Sequence, residues 1–122
     1  MILNGNDIKK LVEEKDLINP FNIDNVNSGS YDISVSSTIL KIKKSFKVID
    51  LNNGEQISKI YEEVDIKNGY CLKPNETILC ALNEKISLPE NIVAHIRPRT
   101  SLSRLGLYIN LQHAQAGYSG IL

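Results

Sequence analysis

Residues 96–107 read IRPRTSLSRLGL and gather three arginines, Arg97, Arg99 and Arg104, with three hydroxyl side chains, Thr100, Ser101 and Ser103. A guanidinium keeps its charge at neutral pH and offers planar pairs of N–H donors that match the oxygens of a phosphate. Hydroxyls and the backbone N–H groups of a turn can complete a cage around such an anion. The segment therefore suits an anion with several oxygens, and a polyphosphate is the natural ligand. The plainer alternative is a solvated loop whose arginines form weak surface ion pairs with Glu84 or Glu90.

The rest of the chain has to position that segment. Its 122 residues are one domain's length, enough to bury roughly 65–70% of the surface that the unfolded chain exposes. Fourteen basic side chains balance fourteen acidic ones, so nothing global points to nucleic acid or a membrane surface as partner. No stretch approaches the roughly 18 apolar residues of a membrane helix, and the N-terminus lacks an apolar run of signal-peptide length. A soluble, cytoplasmic protein is expected. Cys71 and Cys80 sit in apolar surroundings and are expected as buried free thiols.

Period 3.6 occurs once, where Ile8, Leu11 and Val12 line one face of a helix expected over Asp7–Glu14 with Asn6 as its cap. Period two recurs elsewhere. SYDISVSS alternates Tyr31, Ile33 and Val35 against polar neighbours, and β-branched pieces follow between Thr38 and Ile66, broken by Asn52, Asn53 and Gly54. Residues 69–97 read as strand, Pro-Asn turn, strand, Leu-Pro turn, strand. In the last of these, Ile92, Ala94 and Ile96 point one way and Val93, His95 and Arg97 the other. LGLYINLQ is a further expected strand, and AGYSGIL a glycine turn entering one more. The pattern implies one mainly β domain over 1–122, a sandwich or barrel preceded by a short helix.

Familiar nucleotide signatures are missing: there is no G-x-x-x-x-G-K-[ST] loop and no G-x-G-x-x-G after a strand. The zinc signature H-x-E with P-C-x-x-C is also absent, since His95 and His113 lack the Glu and the cysteines have the wrong spacing. Any nucleotide chemistry here proceeds without protein-bound zinc. His95, on an alternating strand face, reads as a satisfied or exposed histidine.

Residues 98–107 resemble the motif G-R-S-S-L-x-R-L-G-L of the dCTP deaminase branch of the trimeric dUTPase superfamily, with Pro98 for Gly and Thr100 for Ser. MIL with DIKKLVEE, PF at Pro20 and Phe21, SYDISV, LKPNETIL and ISLPENIVAHI agree in order, so the resemblance covers nearly the whole chain. It implies a distorted jelly-roll-like β-barrel, dUTPase-like, assembled as a homotrimer with active sites at subunit interfaces. By position it implies that Arg99, Thr100 and Ser101 contact the triphosphate of dCTP or dUTP and that Arg104 stands beside the base and the attacking water. Gln112 and His113 fall among pocket-lining positions. Tyr118 matches the aromatic of a G-[WYF]-x-G turn, where packing of the turn competes with substrate contact. Asp32 matches the aspartate of the S-x-D strand and reads as structural. The resemblance further implies Mg2+ held mainly by the nucleotide phosphates, and deamination with a glutamate as general base and acid.

Two departures qualify this. The family's catalytic glutamate would fall past Leu122, and Gln115 stands where a dUTPase carries its aspartate. No Asp or Glu occurs between Glu90 and Leu122, and a neutral amide is a poor proton acceptor near pH 7. A longer gene product supplying the glutamate is expected. The alternatives are a dUTP diphosphatase, which Gln115 disfavours, and a non-catalytic relative that binds dCTP or dUTP.

Overall fold

The chain enters helix α1 (Gly5–Lys15) through a capping box. The Asn4 side chain accepts from the N–H groups of Asn6 and Asp7, and the Asp7 carboxylate accepts from the Asn4 N–H at 3.0 Å. Asn4 therefore takes the place expected of Asn6, because only Asn4 has an acidic partner three residues on to close the box. Gly5 is required at the first helical position: a Cβ there would meet the Asn27 carbonyl oxygen at 2.6 Å. The structure, a computed structural model, describes residues 1–46, 48–111 and 113–122.

Two compact units divide the chain, one formed by Met1–Ser34 with Asn83–Leu122 and the other by Val35–Leu82. In the first unit, short strands β1 (Ile18–Asn19), β5 (Lys85–Ser87) and β6 (Ser119–Ile121) form an antiparallel sheet in the order β1-β5-β6. Ile8 of α1, Leu17, Ile18, Ile86, Leu88 and Ala114 form the buried cluster, and Leu11, Val12, Tyr31, Ile33, Ile92, Ala94 and Tyr118 pack against it. The amphipathic face of α1 is thus the expected one. Tyr31 and Ile33 turn inward as their alternation requires, but outside a ladder: Tyr31 makes only an isolated bridge with Val26 and stacks on Phe21 with ring centroids 5.7 Å apart.

The second unit holds β2 (Val35–Ile42), helix α2 (Gly54–Lys59), β3 (Tyr61–Asp65) and β4 (Ile78–Leu82), with β2 central between β3 and β4. All pairs are antiparallel. Ile39, at 1% exposure, is the anchor of this unit, with Ile60 also buried. Between β3 and β4 the chain reverses at Pro74-Asn75, where Asn75 has φ 62° and the Glu76 N–H donates to the Lys73 carbonyl. Proline followed by a residue with positive φ is what a type II turn demands.

Both sheets are open ladders among the described residues. Several sequence expectations are corrected. The strands expected at 69–73 and 92–97 form no ladder, the latter keeping only the bridge at Ala94, and Val35, expected inward with Tyr31 and Ile33, is 49% exposed. The strand expected through residues 77–88 is broken at Asn83-Glu84, and its halves join different sheets, because the Glu84 side chain turns inward to bond Ser34. Residues 107–111 form no ladder despite their alternation; a strand needs a partner, and only the bridge Ala94↔Ala114 lies nearby. Cys71 and Cys80 are free but exposed, not buried. Cys80 lies opposite buried Ile39, yet β4 is an edge strand and leaves it uncovered; what burial it has pushes the thiol pKa up. No helix among the described residues is long and apolar enough to cross a membrane.

Candidate functional site

The arginine-rich segment folds as a short helix, α3 (Thr100–Arg104), with Arg99 as its N-cap residue. Arg99 supplies no side-chain cap, although its carbonyl accepts from the N–H groups of Leu102 and Ser103 at 2.9 and 3.0 Å. The N–H groups of Thr100 and Ser101 fall in the first turn, where a helix has no acceptor of its own to offer. Hydroxyls and backbone donors therefore emerge together beside Arg99, while Arg104 occupies the last turn, one helical repeat from Thr100.

The C-terminal end of α3 explains the Leu-Gly-Leu signature. The Leu107 N–H donates to the Leu102 carbonyl at 3.1 Å and the Gly106 N–H to the Ser103 carbonyl at 3.0 Å, while Gly106 has φ 86°. This pair of bonds is the Schellman cap, which needs a left-handed residue at that position and hence a glycine. The motif thereby sets both the length of α3 and the place of Arg104.

Of the three arginines, Arg99 alone pairs with a carboxylate among the described residues. Its Nη2 lies 3.3 Å from Oδ2 of Asp32, with the Arg99 side chain 72% exposed and that of Asp32 33%. An ion pair this open contributes about 0 to 1 kcal/mol, so its value lies in direction: one guanidinium nitrogen lies against the carboxylate while most of the side chain is open to solvent. The pairing with Glu84 or Glu90 that a solvated loop would have used does not form; Glu84 is buried. Asp32, read from sequence as structural, is the residue whose contact with the segment sequence reasoning missed. Its S-x-D context was visible, but its partner lies far along the chain.

The remaining candidates are placed as follows. His113 is exposed and faces His95, with ring centroids 6.1 Å apart. Ala94 and Ala114 exchange both backbone bonds, so the two histidines beside them form the closer, non-hydrogen-bonded type of cross-strand pair. Tyr118 packs against the core of its unit and donates its hydroxyl to the Ile121 carbonyl at 2.8 Å. No hydrogen bond or ion pair among the described residues joins His113 or Tyr118 to α3. Gln112 lies outside the described residues.

Electrostatic perturbation is concentrated in the other unit. The Lys73 N–H and the Tyr70 hydroxyl both donate to Glu76, at 2.9 and 2.6 Å, and these bonds lower the Glu76 pKa below its ordinary value while raising that of Tyr70.

Fold and site together define a mainly β protein whose short helix α3 gathers guanidinium and hydroxyl side chains. Comparison with known proteins narrows this. A family model described as dCTP deaminase-like matches residues 2–122, and the chain belongs to that family. It is similar to a dUMP-forming dCTP deaminase of Persephonella marina, 31% identical over 122 residues that cover 98% of this chain and 68% of that relative. It is also similar to a dCTP deaminase of Acidianus ambivalens, 28% identical over 100% of this chain and 69% of that one. Among solved structures, 2'-deoxycytidine 5'-triphosphate deaminase from Agrobacterium tumefaciens superposes with a TM-score of 0.74 at 23% identity. The match covers 98% of this chain and 38% of that one, and shows that the fold is shared.

Proposed function

We propose that the protein acts in pyrimidine deoxynucleotide metabolism, replacing the cytosine 4-amino group of dCTP by the oxygen of water to give dUTP and ammonia. The observation that carries this reading is the joining of Arg99, Thr100 and Ser101 at the head of α3 with Arg104 in its last turn, in a chain of the dCTP deaminase-like family. Arg99, oriented by Asp32, and the hydroxyls of Thr100 and Ser101 bind the triphosphate. Arg104 stands beside the base and the attacking water, where a fixed cation stabilises negative charge as the water oxygen adds to the ring. A carboxylate must take the proton from that water and return it to the departing nitrogen, and residues 91–122 contain none. His113, Gln112 and Tyr118 are proposed to line the pocket.

A second step, hydrolysis of dUTP to dUMP and diphosphate, is favoured by relatives named as dUMP-forming. The donor set of the site, guanidinium and hydroxyl groups, fits phosphate oxygens rather than a cation, so magnesium enters bound to the nucleotide and supplies charge neutralisation of its phosphates. We further propose a homotrimer. Leu102, Leu105, Tyr108, Ile109 and Leu111, in and after α3, are exposed, Leu105 by 84% and Tyr108 by 87%, and an apolar surface of this kind calls for a covering partner. A cytoplasmic place goes with a charged nucleotide substrate.

The test is incubation with dCTP or dUTP and magnesium, with products separated by ion exchange. dUTP from dCTP supports the deaminase, and dUMP from dCTP the two-step enzyme. Binding of dCTP without any product would replace both by a binding-only relative, and dUMP from dUTP alone by a diphosphatase.

A further inference from the structure

Glu84 is the buried charged side chain among the described residues, 4% exposed. A carboxylate is costly to bury unless its oxygens are bonded, and both oxygens of Glu84 are spent on one residue. The Ser34 N–H donates to Oε1 and Oε2 at 3.2 and 3.0 Å, and the Ser34 hydroxyl donates to Oε1 at 2.9 Å. Asn83 adds its amide, donating to the Ser34 hydroxyl oxygen at 3.0 Å, and its N–H, donating to the Ser34 carbonyl, also at 3.0 Å. Ser34 is thus gripped at its N–H, hydroxyl and carbonyl groups.

What this grip controls lies two residues earlier. Asp32 carries the carboxylate that holds Arg99, and only Ile33, packed on the core cluster, separates it from Ser34. Upstream, the Asp32 N–H donates to the Asn25 carbonyl at 2.9 Å. Asp32 therefore sits on a segment fixed on both sides, and Glu84 provides the downstream fixing point.

We propose that Glu84 is a positioning residue for recognition of the triphosphate, acting through Ser34 and Asp32 on the direction of the Arg99 guanidinium. The role rests on the reading of Arg99 as a phosphate contact. A carboxylate suits it because two acceptor oxygens can take the N–H and the hydroxyl of Ser34 together, whereas an amide offers one acceptor. The Arg99–Asp32 pair is too exposed to hold its own geometry by energy alone, so the rigidity of the segment beneath it sets where the guanidinium points.

The experiment compares the full-length wild type with Glu84→Ala, Glu84→Gln, Asp32→Asn and the double variant Asp32→Asn/Glu84→Ala. For each, the affinity for dCTP with magnesium and for deoxycytidine is measured by calorimetry, and the melting temperature separately. A small misplacement of a positioning group costs on the order of tenfold or more. The expected result for Glu84→Ala is about a tenfold loss of dCTP affinity with deoxycytidine affinity unchanged, a smaller loss for Glu84→Gln, and no further loss when Glu84→Ala is added to Asp32→Asn. A lowered melting temperature with dCTP affinity intact would overturn the role, as would equal losses for nucleotide and nucleoside or additive losses in the double variant. If Glu84→Ala does not fold, Glu84→Gln and Ser34→Ala are carried through the same cycle with Asp32→Asn. Wild-type protein that binds no dCTP would overturn the phosphate reading itself, an outcome separate from a wild type that binds while the variants behave alike.

Discussion

The two units hold their side chains by different means. In Val35–Leu82, β2 runs in register with β3 over five consecutive pairs and with β4 on its other edge, around a nearly inaccessible Ile39. In Met1–Ser34 with Asn83–Leu122, the strands are two or three residues long, and most of the chain is held by discrete links such as Ala94↔Ala114, Glu84 on Ser34 and Asp32 on Arg99. Every described candidate site residue belongs to the unit of Met1–Ser34 with Asn83–Leu122. A ladder spreads the effect of a substitution over many equivalent bonds, whereas a point contact gives one side chain one direction. Irregular backbone is thus the part that can aim individual donors.

The largest expected effect tests the regular unit. Ile39→Ala should cost about 2–5 kcal/mol as a cavity opens, read by denaturant unfolding. Amide exchange should accelerate first within 35–82; acceleration spread evenly over the chain would erase the contrast between the units. The next test reverses the emphasis. Arg99→Ala should lower dCTP affinity by about tenfold to a hundredfold, the worth of charged hydrogen bonds, and leave nucleoside affinity and the melting temperature nearly unchanged. Arg104→Ala should reduce turnover more than affinity, and an unaltered rate would remove Arg104 from the chemistry.

Gly106→Ala sharpens the comparison inside the irregular unit. With φ at 86°, a Cβ there should cost about 1–2 kcal/mol and loosen the end of α3, with a loss of turnover that tracks Arg104 rather than Arg99; calorimetric melting and steady-state rates would show it. The smallest effect is a pH dependence in the other unit. The Lys73 N–H and the Tyr70 hydroxyl stabilise the Glu76 carboxylate and lower its pKa. Such a group contributes stability in full above the ordinary carboxylate range, and the contribution is lost as pH falls through the lowered folded value. The turn at 73–76 should therefore loosen only at acid pH, as followed by carboxyl and amide NMR shifts, and Glu76→Gln should abolish that transition.

Much of the local structure was legible in the chain. Ile8, Leu11 and Val12 marked α1, and the β-branched pieces between Thr38 and Ile66 marked β2 and β3. The alternation through Ile92, Ala94 and Ile96 gave the half-buried face, with Val93, His95 and Arg97 exposed, although that stretch forms only the isolated bridge at Ala94. Helix α2 was hidden because six residues are too few for a 3.6 period to declare itself, and Asn53, read as a breaker of strands, is its cap, accepting from the Gln56 N–H. Helix α3 is likewise too short to declare a period, although its Leu-Gly-Leu ending already contains the cap that stops it.

The sequence by itself determined the chemistry on offer: cationic and hydroxyl donors at 97–104, a glycine able to end a helix, and a family motif that names the ligand class. Those properties belong to single residues or to neighbours, and they survive without a fold. Tertiary structure alone decided which distant groups meet. It selected Asp32 over Glu84 and Glu90 as the partner of Arg99, turned Glu84 from a surface charge into a buried acceptor for Ser34, and set His95 against His113. Such pairings depend on where the chain returns after tens of residues, which is fixed by the packing of the whole core and not by the pattern of any one segment.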